Sequence, residues 1–101
     1  MNTDPDQFNI LRKLKKDPSI TQRKLARELS FSLGKLNYLL KALKNKGLIK
    51  ISNFKKNKNK VRYIYILTPE GIIKKKNMTI NFMKRKMKEY DELKKEMEDN
   101  V

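Results

Sequence analysis

The segment at residues 33–43, LGKLNYLLKAL, carries the side chains that have the most chemistry to offer. Its leucines recur at the spacing of one helix face. They are Leu33, Leu36, Leu39, Leu40 and Leu43. The opposite side holds Gly34, Lys35, Asn37, Tyr38 and Lys41. A face that is only solvated needs no Gly, Asn or Tyr, so the pattern indicates a binding surface made of amide, hydroxyl and ammonium groups.

The residue types of the chain argue against catalysis. The sequence contains no Cys and no His, which removes thiol chemistry, cysteine-ligated zinc and the side chain that titrates near neutral pH. It also has no Gly-rich phosphate loop and no close pair of carboxylates. Glu28 and Glu70 are better interpreted as a surface charge and a charge at a helix N-terminus. We therefore expect no enzymatic activity, no cofactor and no metal site.

The charge distribution points to a polyanionic partner. The chain has 101 residues and a formal net charge of +15, which suits one small domain with a modest core. Residues 89–101 hold six of the eleven acidic residues, so a basic body precedes an acidic tip. Abundant Lys could reflect genome composition alone, but that explanation does not account for where the charges lie.

The elements that position the polar face begin with two helices. Asp4 and Pro5 are typical of a helix start. The apolar stripe of this helix is predicted to contain Phe8, Leu11 and Leu14, with Ile10 at its margin. Asp17-Pro18 ends it, because the residue before proline disfavours helical geometry. Thr21 is a good N-cap for a second helix of about two turns.

A tight turn at Ser30-Phe31 leads to the third helix. Ser32 is its predicted N-cap, and the helix is predicted to run to Lys46 and to stop at Gly47. The segments LIKISNF (48–54) and VRYIYIL (61–67) then predict two antiparallel strands, joined by the polar loop KKNKNK (55–60).

A fourth helix follows the strands. Thr68-Pro69-Glu70 is a helix start signal, and nothing breaks the helix from Pro69 to about Glu98. Its length is about 45 Å at 1.5 Å per residue. The predicted fold is mainly α with a two-stranded β-wing (α+β), a winged helix-turn-helix with a long C-terminal dimerisation helix. Residues 1–68 form the predicted DNA-binding domain and residues 69–101 the predicted dimerisation element.

The third helix is the predicted recognition helix. In a helix-turn-helix, this second helix of the motif fits the major groove of DNA. Asn37 can pair with adenine, Lys35 or Lys41 can reach guanine or phosphate, and Gly34 permits close approach. An ordinary solvated helix face is the alternative. The predicted contacts are Ser32, Gly34, Lys35, Asn37, Tyr38 and Lys41.

Cations outside this helix are predicted to contact the DNA backbone or the minor groove. In the wing they are Lys55, Lys56, Lys58, Lys60 and Arg62. The second helix and its cap add Thr21, Gln22, Arg23 and Arg27 as predicted backbone contacts. A soluble hairpin loop and ordinary solvated charges are the alternatives.

The fourth helix carries an apolar stripe with a spacing of three and four residues, which Lys76 and Lys94 interrupt. A helix this long cannot bury its stripe on a small domain, so a second copy of the chain is the predicted partner. An antiparallel pair would set each acidic tip beside the other basic half. A helix that folds back or frays is the alternative. The predicted interface residues are Ile73, Ile80, Met83, Met87, Tyr90, Leu93 and Met97.

The sequence resembles winged-helix regulators of the MarR (multiple antibiotic resistance regulator) type. The resemblance covers roughly residues 8–95 and rests on QRKLARELSFSLGKLNYLLKALKNKGLIK, on the wing NFKKNKNK and on YIYILTPEGI. The run at 32–43 is closest to a small subgroup associated with exopolysaccharide (EPS) gene clusters. The resemblance implies sequence-specific transcriptional regulation as a homodimer. MarR proteins of the standard type are longer and have a ligand pocket, whereas no small-molecule ligand is evident here.

The predicted function is therefore sequence-specific binding of double-stranded DNA by a homodimeric transcriptional regulator. The alternatives are a non-specific architectural DNA- or RNA-binding protein, and an adaptor that uses the C-terminal helix to bind another protein. No stretch approaches the roughly 18 apolar residues of a membrane span. The start, MNTDPDQFNI, lacks the pattern of a signal peptide. We expect a soluble, cytoplasmic, nucleoid-associated protein.

Overall fold

The structure, a computed structural model, describes residues 4–57 and 60–99. Three helices come first, a two-stranded antiparallel ribbon follows, and a long helix comes last. The winged helix-turn-helix order predicted from the sequence is confirmed. The elements are α1 (Asp4–Lys16), α2 (Gln22–Leu29), α3 (Leu33–Asn45), β1 (Ile49–Asn57), β2 (Lys60–Leu67) and α4 (Pro69–Asp99).

Local hydrogen bonds fix the ends of α2 and α3. Thr21 Oγ accepts from the backbone N–H of Lys24 at 3.0 Å, and Ser32 Oγ accepts from that of Lys35 at 3.0 Å. Both predicted N-caps are therefore confirmed. Ser30 adopts a left-handed conformation with φ of 58°, which reverses the chain sharply enough for α3 to cross α2.

The core lies where α1 meets the other elements. The prediction that Ile10 lies at the margin of the apolar stripe is wrong, because Ile10 is fully buried. The reason is that α1 contacts α2, α3, β2 and α4, so its apolar face is wider than one stripe. Leu33 also departs from expectation: it is 44% exposed, at the first residue of α3. The fully buried large side chains are Ile10, Leu11, Leu14, Leu25, Leu36, Leu39, Leu40, Leu43 and Ile49.

The wing ribbon is longer than the sequence predicts. Its register runs from Ile49 opposite Leu67 to Asn57 opposite Lys60, with one irregularity between Lys55 and Asn57. The predicted six-residue loop is therefore wrong, since most of its residues belong to strands. Backbone pairing can continue through a polar segment because the hydrogen bonds between the strands join main-chain groups and do not depend on an apolar pattern of side chains.

The start of α4 is fastened to the turn that follows α3. Thr68 Oγ accepts from the N–H of Gly71 at 3.0 Å and donates to the carbonyl oxygen of Gly47 at 2.6 Å. Gly71 is buried, and a Cβ added there would overlap the carbonyl oxygen of Leu48. Glycine at this position therefore permits the close packing of α4 against the turn that follows α3.

Only the first half of α4 packs on the domain. Met78 packs against the core, and Phe82 contacts Phe8 of α1 with ring centroids 5.7 Å apart. From residue 83 to the end of the described helix, every side chain is exposed. The second half of α4 thus projects as a rod, and the longest dimension of the protein is 66 Å. Within residues 4–57 and 60–99, no helix is long and apolar enough to cross a membrane.

Candidate nucleic-acid interface

The outer face of α3 is exposed and rich in hydrogen-bonding groups. Four buried leucines hold the opposite face of α3 in the core. Asn37 and Lys41 are exposed, and Tyr38 is 70% exposed. A Cβ added to Gly34 would meet nothing within 4 Å. No neighbour inside the chain therefore requires glycine at this position, and the backbone there is open to an external group.

Lys35 is held differently from the rest of this face. Its ammonium nitrogen lies 3.1 Å from Oδ2 of Asp6 on α1 and 4.3 Å from the ring centroid of Phe31. The ammonium group is therefore turned toward the protein rather than outward. Sequence reasoning missed Asp6 because its partner lies 29 positions away in the chain, and no local pattern joins them.

The predicted backbone contacts on α2 share an exposed surface. Thr21, Gln22, Arg23 and Arg27 are all exposed. The Thr21 hydroxyl accepts from a helix N–H, which leaves its own proton available to an outside acceptor. The side-chain amide of Gln22 donates a long hydrogen bond of 3.5 Å to the hydroxyl of Tyr65 on β2. This contact ties the start of α2 to the wing, and no sequence signal indicated it.

The wing contributes backbone positions only. Lys55 and Lys56 lie on β1, and Lys60 and Arg62 lie on β2, but their side chains are outside the described part of the structure. Lys58 lies outside the described residues altogether. What the structure does establish is that β1 and β2 are paired as an antiparallel ribbon as far as Asn57 and Lys60.

The predicted dimer residues of α4 form one exposed stripe. Their exposure ranges from 41% at Ile80 to 66% at Tyr90 and Met97. At 100° per residue, Met83 points about 100–140° away from the side chains that pack on the domain. The stripe is therefore separate from the surface by which α4 contacts α1. Its residues are Ile73, Ile80, Met83, Met87, Tyr90, Leu93 and Met97.

An open cleft of about 340 Å³ lies between α1 and α4. Phe8, Met78 and Phe82 contribute apolar surface to it, and Arg85 and Lys86 lie on the same lining. No local sequence pattern indicates this cleft, because its two walls come from segments far apart in the chain. No group of acidic residues in the described part of the chain could hold a metal ion.

Comparison with known proteins identifies the architecture. The winged helix-turn-helix DNA-binding family matches residues 5–50, which span α1 through the start of β1. The zinc-responsive MarR family member ZitR of Lactococcus lactis superimposes with a TM-score of 0.68 at 27% identity, over 92% of this chain. The chain has the winged helix-turn-helix fold and is similar to a MarR family member. No curated protein matches its sequence significantly.

Two further solved structures share the fold. Staphylococcus aureus MarR, in complex with salicylate and kanamycin, matches 81% of this chain with a TM-score of 0.65 and 23% identity. Streptococcus pneumoniae FabT, in complex with DNA, matches 83% with a TM-score of 0.62 and 21% identity. The chain spans 62% of the ZitR chain, 53% of the MarR chain and 57% of the FabT chain.

Proposed function

We propose that this chain is a transcriptional regulator that binds double-stranded DNA sequence-specifically as a homodimer. The outer face of α3 enters the major groove, and the wing lies along the backbone or in the minor groove. Asn37, Tyr38 and Lys41 face the base edges, while Thr21, Gln22, Arg23, Arg27 and the wing cations contact phosphates. Residues 1–68 bind DNA, and residues 69–101 join two copies.

One observation carries the DNA-binding part of this proposal. Gly34 lies in the first turn of α3, where glycine lowers helix stability and no neighbour needs the space. The open backbone at Gly34 is flanked by exposed Asn37, Tyr38 and Lys41. Glycine at position 34 lowers helix stability but leaves the backbone accessible. Such a surface is suited to close contact with a ligand. The net charge of +15 favours a polyanion as that ligand.

Selection from a pool of random duplex DNA tests this proposal. The experiment uses the full chain at about 150 mM salt, where counterion release already weakens non-specific binding. Enrichment of an inverted repeat, with half-site centres about 34 Å or a multiple apart, supports a dimeric sequence-specific regulator. Binding without enrichment favours the architectural or RNA-binding alternative. Absence of binding contradicts the proposal and leaves a protein partner for α4.

The homodimer is proposed from the exposed stripe of α4 and from the charge of its two halves. Residues 74–88 of this helix are basic, whereas residues 89–99 are mostly acidic. An antiparallel pair sets each acidic end beside the partner's basic half, whereas a parallel pair places like charges together. The stripe is also long enough for several layers of side chains, as a coiled coil requires.

Cross-linking tests the antiparallel orientation directly, because the natural chain has no Cys. In a parallel pair, two Met97→Cys chains form a disulfide with each other. In an antiparallel pair the two Met97 positions lie far apart, and a Met97→Cys chain instead joins an Ile73→Cys chain when the two are mixed and oxidised. Self-joined Met97→Cys dimers without mixed dimers would contradict the antiparallel arrangement.

The exopolysaccharide-associated subgroup stays a prediction from the sequence. The same holds for the absence of a small-molecule effector, since the cleft between α1 and α4 provides space for one. Thermal unfolding with and without small aromatic acids checks the second point, because a ligand that binds only the native state raises the melting temperature.

A further inference from the structure

We propose that Asp6 limits the affinity of this protein for DNA by occupying the ammonium group of Lys35. This inference rests on the proposed DNA-binding function and adds a residue to it that the sequence analysis did not include. In this arrangement Asp6 is an intramolecular competitor of the DNA phosphates. Its carboxylate takes the place at Lys35 that a phosphate oxygen would otherwise take.

The ammonium group of Lys35 is held close to the protein surface. Lys35 lies in the first turn of α3, next to the open backbone of Gly34. Its backbone N–H is bonded to Ser32, and its ammonium nitrogen lies 3.1 Å from the Asp6 carboxylate. The ring of Phe31, which itself packs against the core, lies 4.3 Å from the same nitrogen. The cation is thus held at the edge of the proposed interface by a carboxylate and an aromatic ring.

The ion pair between Lys35 and Asp6 contributes little to the stability of the fold. An exposed pair between Lys and Asp adds little to stability, and these side chains remain 47% and 31% exposed. The helix itself is fixed by the buried Leu36, Leu39, Leu40 and Leu43. Anchoring of α3 therefore does not depend on Asp6. Its main effect is electrostatic, at a surface that faces a polyanion.

Pairing with Asp6 lowers the contribution that Lys35 makes to the free energy of DNA binding. A cation that is already paired releases fewer counterions from DNA than a free one, because its charge is partly neutralised. The negative charge of Asp6 also lies within a Debye length of any phosphate that approaches Lys35. In a chain with a net charge of +15, one such carboxylate restrains binding to all sequences alike. It leaves discrimination between sequences to the remaining side chains of α3.

The test compares the DNA affinity of Asp6→Asn with that of the unchanged chain between 50 and 200 mM salt. We expect Asp6→Asn to bind selected and random duplexes about threefold or more tightly at the low salt concentration. The slope of log affinity against log salt should steepen by about 0.9, the value for one added phosphate contact. Tighter binding that shrinks as salt rises is an effect that a merely structural role of Asp6 would not produce.

Two controls separate this mechanism from a general change of charge. Glu28→Gln removes the same charge from a matched ion pair, in which Lys13 lies 3.5 Å from Glu28 at similar exposure. It should leave DNA affinity nearly unchanged. In a Lys35→Gln chain, the substitution Asp6→Asn should lose most of its effect. Equal gains from Glu28→Gln, or a gain that persists without Lys35, would overturn the inference.

The outcomes also distinguish this inference from the proposed function. If the unchanged chain binds DNA but Asp6→Asn binds no more tightly, the inference fails and the proposed function stands. If the unchanged chain binds no duplex at any salt concentration, the proposed function fails and this inference fails with it. Melting temperatures of all variants verify that the compared proteins are folded.

Discussion

Thr68 donates a 2.6 Å hydrogen bond from its side chain to the carbonyl oxygen of Gly47. The same hydroxyl oxygen accepts from the N–H of Gly71, so one side chain joins the end of α3 to the start of α4. We expect Thr68→Val to lower the free energy of unfolding by about 1–2 kcal/mol, because it removes a helix cap and leaves two backbone groups unpaired. Urea unfolding measures this.

Thr79→Val is the matched control for the Thr68 substitution. Thr79 donates to the carbonyl oxygen of Lys75 at 2.8 Å, but that oxygen belongs to the interior of α4. A hydroxyl in that position adds little to helix stability. Equal losses in the free energy of unfolding from Thr68→Val and Thr79→Val would mean that the hydrogen bonds between α3 and α4 add no more stability than a hydroxyl inside a helix.

Gly71→Ala should destabilise the protein. The new methyl group would overlap the carbonyl oxygen of Leu48, and the chain can accommodate it only by moving α4 away from the domain. We expect a loss of about 1–3 kcal/mol in the free energy of unfolding. Urea unfolding by circular dichroism measures it. An unchanged urea midpoint of unfolding would show that α4 can move away from the domain without loss of stability.

Gly34→Ala should have the opposite effect on stability. Its methyl group meets nothing within 4 Å, and alanine favours a helix over glycine by up to about 1 kcal/mol. At the same time DNA affinity should fall, because the methyl group would occupy the space proposed for close approach to DNA. A stabilised variant with unchanged DNA affinity would remove Gly34 from the proposed interface.

Asn37→Ala should relax base preference. A side-chain amide that pairs with a base edge contributes about 1–3 kcal/mol of discrimination against the wrong base. Selection of duplexes with the variant should give a degenerate position where the unchanged chain gives a defined base. Lys58→Ala, in the wing, should instead weaken binding to selected and random duplexes alike. Equal losses on both kinds of duplex for Asn37→Ala would contradict its proposed role.

Met83→Glu should weaken the proposed dimer. It introduces a charge into the middle of the exposed stripe of α4, and burying that charge against a second copy is costly. We expect the dimer dissociation constant to rise on the order of tenfold or more, as measured by sedimentation equilibrium. Asn81→Glu makes the same charge change on the opposite side of α4, about 160° from Met83, and should leave association intact. A monomeric unchanged chain would contradict the dimer itself.

The helix ends and the fold order could be predicted because local chemistry decides them. Thr21 and Ser32 cap helices through hydrogen bonds that span three residues. Gly47 has a positive φ of 75°, which a C-terminal glycine commonly adopts. Such signals lie within a few positions of one another, so they can be read without knowing the fold.

The burial of α1 and the length of the wing could not be predicted in this way. Ile10 is buried because several elements meet on α1, and helical spacing alone gives the direction of one stripe and not its width. The strands extend through a polar segment because each is paired with the other, and hydrogen-bonded pairing does not depend on an apolar pattern.

The sequence by itself determined the order of the helices and strands, the polar face of α3 and the division of charge along α4. Spacing, capping residues and composition depend only on neighbours in the chain. The tertiary structure decided which residues meet: the ammonium group of Lys35 pairs with Asp6, the side-chain amide of Gln22 bonds to Tyr65, and Gly71 lies against the backbone of Leu48. These partners are separated by more than twenty positions, and only the packing of the core brings them together.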